Sequence, residues 1–446
     1  IDVNILGHIF ENSLNDIDEM RAEVTGAEFD KSKTKRKKDG VFYTPSYITK
    51  YIVENTIGVL CEEKKKELGL IAITLDTSKD YKRLSKDKQS LLDNLHKYRE
   101  YVSSLKILDP ACGSGAFLNQ ALEYLIEEHR FIDLYRRPLE GDALGYYDVR
   151  SSILENNLYG VDINEESVEL ARLSLWLRTA EHGRKLNDLS KNIKCGNSLI
   201  DDKSVAGDLA FNWQEKFPEI MANGGFDAVI GNPPYGAKLT NEIQKYLNNK
   251  FIKGASETAI AFIKLGRDYL KENGQLSFII PKSFSYSSNY AAIRELVLEE
   301  MIEIVDCKKV WKEVKLEQVI IRFQKDIKKT TYTSSRLQDN IIMPVGSINK
   351  ETFELFGFYL NDVSDEELSI AKKILRVNKF INNFATNSRG GIFQNAIKDK
   401  GDYEVLGGSE IQRKGISGIK GYVDKSVIEE DDKAIIKPNS VLVQNI

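Results

Sequence analysis

The sequence predicts an α/β protein whose sheet is mostly parallel. Two observations carry this. Short β-rich runs recur between residues 106 and 323, and helical patterns lie between several of them, which is the alternation that builds parallel sheets. Turns rich in Gly or Pro follow two of the runs, and in such sheets ligands sit at the carboxyl ends of the strands.

Taken in order, residues 5–20 place Ile5, Leu6, Ile9, Phe10, Leu14 and Ile17 at helical spacing. Six of the eight residues from Lys31 to Lys38 are cationic, which suits a solvated loop or a phosphate-contacting segment. From Cys61 to Ser104 the chain is dense in Lys, Glu, Asp and Leu and reads as helices with a polar connector. Strands are then expected at Lys106–Asp109, Leu158–Asp162, Asn192–Cys195, Phe226–Ile230, Gln275–Ile280, Ile302–Val305 and Gln318–Phe323. Helices are expected at Ala116–Glu127, Glu165–Thr179 and Ala259–Leu270. Past Lys329 the alternation stops, and the Thr/Ser-rich stretch Thr330–Ser335 reads as the start of a linker. Beyond Asn387 the chain is rich in Gly and short strands, and reads as the opening of a further domain. The domains expected are therefore 1–60 (helical connector), 61–105 (helical insertion), 106–330 (catalytic α/β domain), 331–386 (linker) and 387–446.

Composition excludes several classes. The 446 residues are 41% hydrophobic and 29% charged, an ordinary globular balance. No apolar run reaches the roughly 18–20 residues of a membrane span. Cys61, Cys112, Cys195 and Cys307 lie far apart, without the spacing of a zinc site or a disulfide scaffold. His8, His96, His129 and His182 lack ligand spacing too, so no metal is expected. With no basic-then-apolar leader at Ile1, a cytoplasmic protein that lacks an N-terminal segment is expected. A net charge of −4 argues against a purely electrostatic nucleic-acid binder but allows an enzyme with a local basic groove.

Two motifs carry chemistry. Asp109-Pro-Ala-Cys-Gly-Ser-Gly115 joins a strand to a helix, and its small residues let backbone approach a ligand. The spacing is not Gly-x-Gly-x-x-Gly, so a nicotinamide enzyme is disfavoured. Asp162 closes the next strand, where a carboxylate can accept from ribose hydroxyls, and Asn197 follows the third, within reach of an adenine edge. Taken singly, each serves equally well as an N-cap or turn residue. Asn232-Pro-Pro-Tyr235 directly follows the strand ending at Gly231. Its prolines fix φ and offer carbonyls without N–H groups. Asn232 adds a side-chain acceptor and Tyr235 a flat π-surface. Acceptors on both N–H bonds of a planar amino group draw its lone pair towards a nucleophilic, tetrahedral form.

At these residues the sequence resembles the gamma class of S-adenosylmethionine-dependent DNA adenine-N6 methyltransferases. In detail it resembles the modification portion of type IIG enzymes, which join restriction and modification in one polypeptide. The motifs stand in that class's order: Phe42-Tyr-Thr-Pro45, then Asp109–Gly115, Asp162 and Asn232–Tyr235. The resemblance covers residues 1–330 well and the remainder weakly.

It implies a Rossmann-like class I methyltransferase sheet of seven strands, with a partial target recognition domain after it. It further implies S-adenosylmethionine as cofactor, held by Tyr43, Thr44, Asp109, Ala111, Gly113, Asp162, Asn197 and Phe262. Thr44, Asp109 and Ala111 would line the methionine end, Asp162 the ribose, and Phe262 the adenine. Asn197 stands where the family often has Asp. The substrate would be an adenine flipped from duplex DNA, held by Asn232 and the Pro233 carbonyl beside Pro234, and stacked between Tyr235 and Trp311.

Other readings stay open beside this one. A protein-glutamine or RNA methyltransferase can use the same Asn-Pro-Pro-Tyr, and a specificity module that has lost catalysis is the third. Cys112 is expected as a small buried residue and not as a cytosine-type nucleophile. Asp306 with Glu313-Val-Lys315 loosely imitates a nuclease pattern, but falls where the sheet should finish. Any nuclease is expected outside this chain, with Leu6–Glu11 resembling the connector to it.

Overall fold

The computed structural model describes residues 44–140, 149–179, 188–236, 239–311, 314, 316–380, 383–386, 391, 393–413, 415–428, 435–436 and 440–442. The expected N-terminal helix, the basic run Lys31–Lys38, Tyr43, Glu313 and Lys315 lie outside the described residues. The chain divides into two compact units, with the boundary between Leu368 and Ser369.

The first unit opens with helices α1 (Ser46–Glu54), α2 (Ile57–Glu67) and α3 (Lys86–Ser104). In α3 the Ser85 side chain caps the N-terminus by accepting from Lys88 N–H, and Leu92, Leu95, Tyr98 and Val102 form the buried stripe. Strand β1 (Ile107–Asp109) then leads into α4 (Ala116–Glu140) and α5 (Val149–Asn156). Next come β2 (Leu158–Asp162), α6 (Glu165–Thr179), β3 (Ile193–Cys195) and β4 (Phe226–Gly231). After α7 (Asn241–Lys250) and α8 (Thr258–Asp268) the chain forms β5 (Leu270–Pro281), α9 (Ala291–Val297), β6 (Met301–Lys308) and β7 (Gln318–Gln324). The seven expected strands fall on β1–β7.

The sheet has nine strands, in the order β3-β2-β1-β4-β5-β7-β6-β8-β9, with β8 (Thr331–Gln338) and β9 (Ile341–Asn349) added at one edge. The pairs β3/β2, β2/β1, β1/β4 and β4/β5 are parallel, whereas β7 runs antiparallel to both β5 and β6. The chain lays down β1, β2 and β3 outward in one direction, then returns to place β4 on the other side of β1. Strand order therefore reverses between β1 and β4, and the crevice at their carboxyl ends is where such sheets bind ligands.

Both faces of the sheet are covered, so its strands are apolar on both sides. On one face Ile107, Leu158, Ala228, Ile230, Ile279 and Ile320 pack with residues of α1–α6. On the other, Leu108, Val161, Val229, Phe278, Ile280 and Ile321 pack with α8, α9 and the aromatic group Phe211, Trp213 and Phe217. Each such side chain removed fully from water contributes on the order of 1.5–3 kcal/mol.

The expected linker 331–386 is corrected at its start, because residues 331–349 belong to the sheet. β8 pairs parallel to β6, and β9 antiparallel to β8. Asp339 and Asn340 join them with φ of +50° and +63°, the two left-handed residues of a tight hairpin. The strand escaped notice because its buried positions include hydroxyls. Ser334 and Ser335 are fully buried, and the Ser335 hydroxyl donates to Glu303 Oε1 at 2.6 Å.

The second unit carries two small antiparallel ladders. One pairs β10 (Tyr403–Val405) with β13 (Gly421–Val423), and the other β11 (Ile411–Gln412) with β12 (Gly415–Ile416). Among the described residues no helix is long and apolar enough to cross a membrane.

Candidate active site

Three strand ends meet at the crevice: Asp109 of β1, Asp162 of β2 and Gly231 of β4, with Asn232 directly after it. The loop after β1 is fixed on both sides. Cys112 N–H donates to the Val161 carbonyl (3.0 Å), and the Ser198 hydroxyl to the Pro110 carbonyl (2.6 Å). Gly113 takes φ +50° with open space where a Cβ would be. Gly115 takes φ +87°, and a Cβ there would lie 3.2 Å from Ala171 Cα, so this glycine lets α4 pack close to α6.

Asp109 is 1% exposed. Its Oδ1 accepts the Ala111 N–H at 3.1 Å, while Oδ2 is buried with no hydrogen-bond partner. Burial pushes its carboxyl up to about 8; the Ala111 N–H pulls it down and the nearby Asp162 charge adds to the rise. A buried carboxyl with one orphaned oxygen is a group awaiting a donor or a cation. Asp162 is arranged differently, since it accepts the N–H of Gly113 and that of Asn164, both at 2.9 Å. It therefore holds the two loops together while standing at the end of β2.

Asn197 Oδ1 accepts from Leu199 N–H (3.1 Å), which gives it the turn role that was one of its two readings. Phe262 is 6% exposed on α8, in the hydrophobic cluster against which Ala111 and Tyr235 also pack. Cys112 is buried, and burial beside Asp162 and Asp109 pushes its thiol well above the usual range, the state of an inert thiol.

The Asn232–Tyr235 loop leaves β4 beside this crevice. Asn232 Nδ2 donates to the Thr44 hydroxyl at 3.2 Å, which joins Thr44 to the Asn-Pro-Pro-Tyr motif across 188 residues of chain. Asn232 Oδ1 is buried with no partner. Among the described residues nothing donates to the Pro233 carbonyl, whereas the Pro234 carbonyl accepts the Thr258 hydroxyl. Burial raises the Tyr235 phenol to about 12, with the Gln318 side chain pulling the other way, so the ring is neutral. Trp311 is 8% exposed, in the cluster against which Tyr235 packs from the other motif.

Asp306 makes an ion pair with Lys282 at 2.8 Å, and Lys282 also pairs with Glu317. That assigns it a structural partner at the end of β6. Sequence reasoning missed Ser198, Glu257 and Thr258. Their only signal is position: one follows Asn197 by a single residue, and the others stand at the start of α8, the second helix after the Asn-Pro-Pro-Tyr motif.

Residues 156–311 match the family described as Eco57I restriction-modification methylase. The chain is 25% identical over 387 residues to the type II restriction enzyme and methyltransferase RM.Eco57I of Escherichia coli, covering 80% of this chain and 32% of that protein. It is 23% identical over 326 residues to the adenine-specific methyltransferase PglX of Lacticaseibacillus casei, covering 57% of this chain and 26% of that one. This chain thus spans a third or less of either relative. The structure of the type IIL restriction-modification enzyme MmeI in complex with DNA shares the fold, with a TM-score of 0.52 at 16% identity over 72% of this chain and 41% of that one. The matched segment runs from β2 through β6 and carries Asp162 and Asn232–Tyr235, and over that segment this chain is similar to the Eco57I restriction-modification methylases.

Proposed function

We propose that this chain transfers a methyl group from S-adenosylmethionine to N6 of an adenine flipped out of duplex DNA, as the modification part of a restriction-modification enzyme. The observation that carries the reading is the pair of buried, unpartnered acceptors at the switch point, Asp109 Oδ2 and Asn232 Oδ1. The first suits the donor side of a cationic cofactor and the second a substrate N–H. The names of the relatives join restriction with methylation, and one is adenine-specific; a nuclease part in the same polypeptide belongs to the same proposal.

The residues fit the cofactor. Asp109, the Ala111 backbone and Thr44 would hold its methionine end, Asp162 its ribose, and Phe262 its adenine face. When bound, it supplies an electrophilic methyl on a sulfonium. The chain's own work is on the acceptor. Asn232 Oδ1 and the Pro233 carbonyl would take the two amino N–H groups of the adenine, so that its lone pair turns towards the donor. Tyr235 stacks on the base, with Trp311 as the candidate on its other side. Alignment at about 3–3.5 Å supplies much of the acceleration, and no covalent enzyme intermediate is needed.

The test is transfer of labelled methyl to mixed-sequence duplex DNA by the full-length protein and its Asn232→Ala variant, with products resolved as nucleosides. N6-methyladenine from the parent, reduced by about a hundredfold in the variant, is the expected outcome. Label appearing on protein glutamine or RNA, or a variant as active as the parent, would overturn the reading.

A further inference from the structure

Two consecutive side chains at the start of α8 hold the Tyr235 loop from both ends. The Thr258 hydroxyl donates to the Pro234 carbonyl, and the Glu257 carboxylate accepts the Gly236 N–H at 3.4 Å. Tyr235 is the single residue between the two pinned peptide groups. The rings of Pro233 and Pro234 already fix φ at both positions, and of the rotations that remain the nearest to the ring are about ψ of Pro234 and at Tyr235 itself. Holding the Pro234 carbonyl removes the first, and holding the Gly236 N–H restrains the second. Gly236 takes φ +76°, a left-handed conformation that suits glycine. Thr258 is 6% exposed, and burial pushes the Glu257 carboxyl upward while the Gly236 N–H draws it down.

The clamp also distinguishes between two carbonyls. Pro233 and Pro234 each offer an acceptor on adjacent peptide units, and among the described residues only the Pro234 acceptor is engaged, by Thr258. We propose that Glu257 and Thr258 are positioning residues, which set the Tyr235 ring and reserve the Pro233 carbonyl for the amino group of the target base. The inference rests on the adenine-N6 reading above.

Thr258→Val keeps the shape and removes the donor, while Thr258→Ser restores it. Both would be compared with the parent for kcat and KM on duplex DNA, and for affinity and stoichiometry of S-adenosylmethionine by calorimetry. The clamp requires kcat to fall about tenfold in Thr258→Val. Cofactor affinity and one site per chain should be kept, and Thr258→Ser should recover the parental rate to within about threefold. A rate that falls only in step with binding stoichiometry would leave each binding-competent chain as fast as the parent and would overturn the positioning role. So would a Thr258→Val rate equal to that of the parent.

Should Thr258→Val not fold, Glu257→Ala against Glu257→Gln poses the same question, since the amide oxygen of Gln can still accept from Gly236. Loss of rate in Ala with recovery in Gln supports the clamp, and equal rates overturn it. A parent that makes no N6-methyladenine fails at the function and takes the clamp with it; a parent that does, beside an unaffected Thr258→Val, removes the clamp alone.

Discussion

Asn232 Nδ2 donates to the Thr44 hydroxyl at 3.2 Å, and the other end of the same amide, Oδ1, is buried with nothing to accept from. The two facts are linked. An amide is planar, so anchoring its NH2 end on Thr44 fixes where its oxygen points. Thr44 itself is 4% exposed, immediately before Pro45 and α1, which tie it to the helical face of the sheet. Thr44→Val should therefore leave the fold in place and lower kcat by about fivefold to tenfold, the worth of one hydrogen bond of about 1 kcal/mol or slightly more. Thr44→Ser should retain the parental rate. Steady-state methylation of duplex DNA by both variants measures this directly.

Asp109 links pH to stability and, on the proposed function, to cofactor binding. Its carboxyl titrates at about 8 in the folded chain against an ordinary 3.8. Below about 4 the group is protonated in both folded and unfolded chains, and the stability it contributes is fully present. As pH rises towards 8 the unfolded chain ionises first, so this contribution is lost through that window. Asp109→Asn removes the titration, and denaturant unfolding at pH 5 and pH 8 should show a smaller loss of stability with pH than the parent shows. The same variant should bind S-adenosylmethionine on the order of tenfold to a hundredfold more weakly, as expected on losing a charge-assisted contact.

Gly231 couples the two motifs through space. A Cβ there would lie 2.8 Å from Asp109 Oδ1, the oxygen already held by Ala111 N–H. Gly231→Ala must push the carboxylate or the end of β4, at a cost of about 1–3 kcal/mol. Thermal unfolding should report that loss, and methyl transfer should fall with it because both acceptors move. Parental stability in this variant would mean that the strand end relaxes freely.

Much of this was legible in the sequence, and the exceptions share a cause. β1–β7 announce themselves because strands buried on both faces are largely apolar, as in the run Phe278 to Ile280. Asp109, Asp162 and Asn232 are legible because each sits at a strand end beside turn-forming residues. β8 was not, since its inward positions at Ser334 and Ser335 are satisfied by hydrogen bonds and carry no apolar signal. The Asp339-Asn340 pair, both with positive φ, was the sign that a hairpin lay there. Thr258 and Ser198 were illegible for a further reason: each acts on a carbonyl distant in sequence, Pro234 or Pro110, and only the fold brings donor and acceptor together.

Asp162 offers a sharper test of the proposed cofactor site than Asp109, because its two oxygens are already committed to backbone donors. Oδ2 accepts from Gly113 N–H and Oδ1 from Asn164 N–H, each at 2.9 Å. Asp162→Asn replaces one of those acceptors by an NH2 group, which sets donor against donor whichever way the amide turns. One loop must then let go, either the glycine turn after β1 or the turn that opens α6. By contrast, Asp109→Asn faces only one N–H and can present its oxygen to it. Asp162→Asn should therefore lose stability by about 1–3 kcal/mol and cofactor affinity as well, whereas Asp109→Asn loses affinity while gaining stability at neutral pH. Thermal unfolding and calorimetric titration of both variants with S-adenosylmethionine would separate the two. Equal stability in the pair would show that the Gly113 turn does not depend on the Asp162 carboxylate.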